Sequence, residues 1–464
     1  MSSIKDIAER TALMSKPRGD EPVTLTPAWE SINVPEEELN FTELTMQDAH
    51  LQLNPPKDRL NIVYWIFVVH GIGVLIPWNM FITAKSYFMD YKLSKTYTGI
   101  DVVYLMNFMF YLQIASQLPN FLFNWFNVFV RSGGNLAVRI VWSITALIIL
   151  FILTSIMAMI DTSTWPNTFF WFTMVSVVAI NIASGIYQNT IYGLAARLPS
   201  KYSGGIVLGF NISGTFTSIV NILADEFTTN KRTAAIYYFI TALFVLLICF
   251  DTYFCLPLNK FYRFYDQKHN KEVKKSQVNN NQNVPYWKIF KKAFPQLLNV
   301  YVIFVVTLSL FPSVHSEIKQ VDPNFIFGGN QFMNVLCFLS FNVCTVIGSY
   351  LATKFQWPGP KNLKYAVWLR LLLVPLFLLC DYQPTGVVRT LPVLIKSDWI
   401  YWAVAAAMAI SSGYLSSLAI QYCPGQVKPE HSAIAGMLAG ACLITGILSG
   451  IVSSYFWPIF VQLF

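Results

Sequence analysis

An all-α membrane protein with eleven spanning helices is the fold class this sequence predicts, and three observations predict it. Hydrophobic residues make up 55% of the chain and charged ones 12%, which with a mean hydropathy of +0.48 is far from a water-soluble enzyme. Apolar runs long enough to cross a bilayer as helix, about 20 residues each, recur near 62–83, 103–129, 136–160, 168–194, 204–224, 234–256, 298–314, 331–353, 365–380, 398–421 and 433–459. Within those runs ionisable groups are scarce, among them His70, Asp251 and Arg370, with Asp225, Glu226 and Glu317 near helix ends.

The runs divide six and five. Residues 1–60 carry 11 acids against 6 bases and no apolar run, which suggests a disordered cytosolic tail rather than a cleaved signal peptide. Residues 61–256 then hold helices one to six, a basic cytosolic loop follows over 257–296, and 297–464 hold helices seven to eleven. The loop, with its Asn-rich run from Asn279 to Asn283, reads as flexible linker. It either holds anionic lipid or a partner, or is a solvated tether that fixes topology. With the tail inside, most Lys and Arg fall on the inner side, so the positive-inside rule favours a cytosolic N-terminus. Eleven crossings put the C-terminus outside.

Taken in order, the first helix is the most informative. Its Gly71, Gly73, Pro77, Trp78 and Asn79 would weaken a helix made only to fill lipid, and an unpaired amide in hydrocarbon costs several kcal/mol by order of magnitude. This helix therefore turns a polar edge toward protein or water. Gly71, Leu75, Trp78 and Ile82 share one face at helical spacing. The second helix contains Pro119 and carries Gln113, Gln117 and Asn120; the fourth carries Gln188 and the fifth Asn211. The seventh ends at Pro312. In the eighth, Phe338, Asn342, Thr345 and Ser349 form a stripe at offsets of four, seven and eleven. The ninth is short and holds Arg370, which either gates or snorkels toward the inner surface. Gly205 with Gly209, Gly436 with Gly440, and Gly446 with Gly450 are spaced for close helix packing.

Amides both donate and accept, so a cavity lined by them suits an uncharged polar solute. A single amide could equally be interhelical glue; five helices sharing the feature favour a pathway. Few buried carboxylates are available to change charge during a cycle, which points to downhill movement. The five histidines offer no metal-ligand pair, no catalytic triad or phosphate loop can be assembled, and the seven cysteines read as core thiols. Neither a metal nor another cofactor is expected, nor is enzymatic activity.

These residues resemble the equilibrative nucleoside transporter family. The likeness covers about 60–464. It rests on the first-helix motif from Gly71 to Ala84, on Leu118-Pro119, Gln188, Phe311-Pro312 with Val314 and Glu317, and on Phe338, Phe341-Asn342 and Gly348. It continues through Trp357-Pro358-Gly359, Arg370 with Val374-Pro375, Ser412 to Leu415, and Val427-Lys428-Pro429. The resemblance implies a six-plus-five pseudo-symmetric bundle similar to the major-facilitator architecture, moving nucleosides by alternating access. It implies that Leu75, Trp78, Asn79, Gln188, Phe311, Phe338, Asn342 and Ile447 border the site, with Gln188 reading a base edge; Gln117 joins them as a neighbouring amide. Gly71, Gly73, Pro77, Pro119 and Arg370 would be structural or gating. One departure stands out: the family's eighth-helix Asp and Arg, four residues apart, are replaced by Thr345 and Ser349. Losing both charges together strands neither, and the hydroxyls would offer only weaker neutral hydrogen bonds to a sugar. A carrier of another neutral or cationic organic solute, and a non-transporting receptor or scaffold, therefore remain open. The expected setting is the plasma membrane, with endomembranes second. The expected partners are a small-molecule nucleoside and the lipid bilayer, with no nucleic acid, and the expected state is a monomer.

Overall fold

Inside hydrocarbon a backbone must bond its own N–H and C=O groups, and each of the eleven apolar runs is mainly helical over its described residues. The computed structural model describes residues 55–84, 87–99, 108–129, 136–228, 230–279, 285–327, 332–384 and 387–463. The tail as far as residue 54, the start of the second run (103–107), Arg131 and 280–283 of the central loop lie outside the described residues, as do the Asp225 and Glu226 side chains. The first half comprises α1 (Ile62–Thr83), α2 (Phe108–Phe129), α3 (Leu136–Met159), α4 (Pro166–Ala195), α5 (Lys201–Phe227) and α6 (Lys231–Cys255). A connecting helix, α7 (Lys260–Asn279), precedes the second half. There follow α8 (Tyr286–Leu310), α9 (Ser340–Lys354), α10 (Leu363–Leu369), α11 (Leu373–Leu378), α12 (Asp398–Tyr422), α13 (Ser432–Ser454) and α14 (Phe456–Leu463).

Among the described residues nine helices are long and apolar enough to cross a membrane. The second run is diluted by its amides. The ninth is cut by a 3-10 turn, Arg370–Leu372, into α10 and α11. A π-helical stretch, Met333–Leu339, leads into α9 and carries Phe338. Such widened turns concentrate at functional sites.

The two halves repeat one pairing scheme. In the first, α1 packs on α5 and α2 on α4; in the second, α8 packs on α13 and α9 on α12. Across the seam α2 and α4 meet α13, while α9 and α12 meet α5. These correspondences are those of a pseudo-symmetric bundle. Two crossings need glycine. A methyl group on Gly209 would lie 2.1 Å from Val68 O, and one on Gly71 2.3 Å from Ile206 O. At the α9–α12 crossing a methyl on Gly413 would lie 2.1 Å from Thr345 O, and one on Gly348 2.2 Å from Ile410 O. Only bare backbones come this close, as in membrane helix packing generally.

Lipid and protein faces separate clearly on α2. Ile114, Leu118, Leu122, Phe126 and Phe129 are exposed, while Ser116, Asn124 and Asn127 on the opposite side are buried.

The stretch 257–296, expected as a flexible loop, instead holds α7 and the first turns of α8, which begins at Tyr286. Phe261, Tyr262 and His269 form a buried stripe at helical spacing on α7. The Phe261 ring lies 5.2 Å from that of Tyr202, and Asp266 accepts a 2.7 Å ion pair from Arg197 at the end of α4. Helix α7 also packs on the turn Pro429–His431, before α13. This helix thus touches both halves. The side of the bundle it covers is the basic end.

Candidate functional site

Helix α5 is the seam on which both halves converge. From α1, Asn79 Nδ2 donates to Ser213 Oγ at 3.0 Å. From α9, Asn342 sits over the next residue: a methyl on Gly214 would lie 2.5 Å from Asn342 Oδ1. Two amides placed on opposite halves by the sequence therefore meet one turn of a single helix. One turn nearer the basic end, Asn211 Nδ2 donates to Ser349 Oγ at 2.5 Å, and Ser349 donates to Gly413 O at 3.1 Å. Thr345 Oγ1 donates to Asn342 O at 2.8 Å. Both α9 hydroxyls thus have protein partners.

The wall formed by α4 is different. Ser184, Gln188 and Tyr192 lie four residues apart on one stripe, all buried, and Ser184 Oγ, both Gln188 amide atoms and Tyr192 Oη lack hydrogen-bond partners. The stripe spans about 12 Å at 1.5 Å per residue. Tyr192 marks where it points. Its ring packs 5.8 Å from Phe210 of α5. A methyl on Gly440 of α13 would meet the Tyr192 ring at 2.9 Å. The α4 stripe therefore faces the seam. A buried amide left unpaired costs roughly 1–3 kcal/mol, and Gln188 bears that cost at both amide atoms.

Aromatic side chains line the second half. Phe311 stacks on Phe341 at 3.8 Å and meets Phe338 edge-on at 5.9 Å. Leu75, Trp78 and Ile447 are half-buried against the core. Gln117 and Pro119 are half-buried on α2, and Gly71, Gly73 and Pro77 are buried inside α1. Arg370 is buried, and its Nη2 donates to Thr307 Oγ1 at 2.8 Å and to Met408 O at 3.3 Å. Both partners belong to the second half, whereas Asn79 and Asn342 reach α5.

Three side-chain hydrogen bonds join the halves among the described residues: Trp125 to Thr445 at 2.9 Å, Asn189 to Met437 O at 2.7 Å, and Asn211 to Ser349. They run from mid-depth to the basic end, so that end is closed. Sequence reasoning missed the network behind them. Asn127 donates to Asn189 Oδ1 and Thr190 Oγ1, both at 3.0 Å, and accepts from Arg139 at 2.9 Å. The signal was available: Asn124 and Asn127 continue the stripe of Gln113, Gln117 and Asn120, and Tyr192 lies one turn beyond Gln188.

Electrostatics outside the spans are local. At the end opposite α7, Lys92 is buried, and its Nζ donates to Ile160 O at 2.5 Å. Burial lowers its pKa to about 8; Arg232 acts in the same direction and Asp161 against it. Asp161 is lowered to about 2, chiefly by the hydrogen bond from Tyr97. On α7, burial lowers His269 to about 4, with Arg197 adding to the effect. Among the described residues no group of three or more His, Cys, Asp or Glu is placed to hold a metal.

With this geometry established, comparison with known proteins is informative. Residues 174–459 match the family described as nucleoside transporter. The human equilibrative nucleoside transporter 1 is 30% identical over 449 residues, spanning 86% of this chain and 97% of that protein. The human equilibrative nucleoside transporter 2 is 30% identical, over 85% and 96% of the two chains. Among solved structures, the major facilitator superfamily proton:xylose symporter XylE superposes with a TM-score of 0.58 at 12% identity, covering 87% of this chain and 90% of its own. That likeness is one of fold.

Proposed function

The chain belongs to the equilibrative nucleoside transporter family, and from that premise we propose that it carries nucleosides down their gradient by alternating access at the α4–α5 seam. One observation supports the site above all: Gln188, sealed from solvent with both amide atoms unpartnered. Its carbonyl accepts and its NH2 donates, which complements the donor–acceptor edge of a nucleobase. Trp78 and Leu75 shape the wall beside it, while Phe311 and Phe338 supply ring faces opposite. Asn79, Asn342 and Gln117 complete the polar lining, with Thr345, Ser349 and Ile447 at its margin. Gly71, Gly73, Pro77 and Pro119 set the path of the helices around it, and Arg370 braces the second half.

The closed basic end identifies the conformation, and the solute gradient gives the cycle its direction. Solute enters from the opposite side, and release requires the Trp125, Asn189 and Asn211 bonds to exchange while the halves rock. By the positive-inside rule the basic end is cytosolic, which places the N-terminal tail inside and the C-terminus outside. The plasma membrane is the proposed location and a monomer the proposed state.

The test is flux of radiolabelled uridine and adenosine into liposomes holding the purified chain, with and without an imposed pH or sodium gradient. Saturable entry that stops at equal concentrations is expected. Accumulation beyond equilibrium driven by either gradient would overturn downhill transport. No entry of either nucleoside would favour the receptor or scaffold reading, for which the neutral Thr345 and Ser349 are the motivating feature.

A further inference from the structure

We propose that the basic ends of α8 and α10 together bind the headgroup of an anionic phospholipid of the cytosolic leaflet. The inference rests on the basic end facing the cytosol and not on which solute is carried.

The spacing of residues on α8 brings the two helices' lysines together. Lys288, Lys292 and Gln296 follow one another on one face, over about 12 Å at 1.5 Å per residue. Gln296 is buried, and its Nε2 donates to Pro360 O at 2.7 Å. That bond ties α8 to the turn leading into α10, and Lys361 is the next residue. Lys292, one turn before Gln296, and Lys361 therefore flank one joint. Lys291 and Lys364 extend the group along each helix. All five lysines are exposed, and among the described residues none has a carboxylate within ion-pair distance. Glu430, before α13, is engaged by His431 at 3.2 Å and by Lys428 at 3.8 Å. The charge of Lys292 also acts on His431, so positive potential reaches that turn as well. Like charges four residues apart on a helix repel, and a bound anion relieves Lys288 and Lys292 of that repulsion.

The surroundings of the lysines identify the anion as a lipid. Trp287 and Phe294 of α8 are exposed, as are Tyr365, Trp368, Leu369 and Leu372 of α10 and the turn after it. Lys291 Nζ lies 5.4 Å from the centre of the Trp287 ring, and Lys364 Nζ 5.1 Å from that of Tyr365. Exposed aromatic and long basic side chains together at the end of a spanning helix mark the headgroup boundary. A soluble phosphate would use the lysines alone. A phospholipid uses them for its phosphate and lays its chains on the rings and leucines. Each basic side chain near an anionic leaflet contributes about fivefold in affinity.

The full-length chain, purified in detergent, is given an equimolar mixture of phosphatidylserine and phosphatidylcholine, and bound lipid is counted by native mass spectrometry. A preference of about tenfold or more for phosphatidylserine is expected; equal binding of the two overturns the inference. Lys292→Gln with Lys361→Gln should lower the preference about tenfold or more, to near parity. Lys260→Gln with Lys268→Gln, which removes the same charge from exposed positions on α7, should change it less than about twofold. Equal losses from the two pairs would show that the lipid answers to net charge and not to this site. Lys292→Arg with Lys361→Arg should keep the preference, and its loss there would trace the effect to the fold instead. Inorganic phosphate in excess should leave phosphatidylserine bound; its complete displacement would make this a site for free phosphate and overturn the lipid assignment. Nucleoside flux enters none of these readouts, so failure of the carrier reading and failure of this inference are told apart.

Discussion

Gln188 is buried with neither amide atom partnered, and on the proposed reading its partner is the solute. The chain bears the desolvation of a complete amide, roughly 1–3 kcal/mol, at a position where leucine would pack without it. Gln188→Leu should therefore leave the thermal midpoint in detergent unchanged or higher, while raising the KM for uridine about tenfold, the effect of one lost hydrogen-bonding group. A drop in midpoint together with the drop in uptake would make this residue structural instead. Ser349 is the opposite case. Its hydroxyl is consumed by Asn211 and Gly413, so its polar character serves the seam. Residue type alone could not separate the two: both are buried polar side chains on spanning helices, and only their partners differ.

Among the elements, the glycine crossings and α7 carry distinct consequences. Gly209→Ala places a methyl group against the Val68 carbonyl at 2.1 Å, a backbone contact that cannot rotate away. Overpacking of this kind costs about 1–3 kcal/mol, and a lowered thermal midpoint in detergent is expected. An unchanged midpoint would mean that α1 and α5 slide apart freely. Docking of α7 should respond to pH through His269. Its imidazole is held at about 4, against 6.5 when unperturbed, by burial and then by Arg197. Between those values the unfolded chain binds the extra proton, so stability rises with pH over that window. The contribution is complete above about pH 6.5 and is lost as pH falls toward 4. The thermal midpoint should therefore decline on acidification through this range, and the decline should be shallower in His269→Gln. Equal slopes would show that His269 is solvated rather than docked. The sequence concealed α7 because its charges dominate the composition, whereas Phe261, Tyr262 and His269, which bury it, are few.

For the whole molecule, the consequence of closure at the basic end is that one conformation must give way to another for transport to occur. Asn211 and Ser349 sit on opposite halves within hydrogen-bonding distance, 2.5 Å. The double variant Asn211→Cys with Ser349→Cys, treated with an oxidant, should lose uridine flux and recover it on reduction. Each single variant should be indifferent to the oxidant. Flux that persists in a demonstrably cross-linked protein would mean that the halves do not separate at α5 and α9 during the cycle.

The runs of apolar residues determined by themselves that this chain crosses a bilayer as helices, because an unbroken apolar run of about 20 residues satisfies its backbone in hydrocarbon as helix, whereas a barrel strand is about half as long. The same logic marked Gly71, Trp78, Asn79, Gln188 and Asn342 as candidates for a polar path: such groups are costly in lipid and turn toward something else. Which of them are free and which are spent was decided only by the tertiary structure. Asn127 and Ser349 became glue, and Gln188 did not, because hydrogen-bond partners come from helices distant in sequence. A helical period tells which face a side chain shares; it carries no information about what stands across from that face.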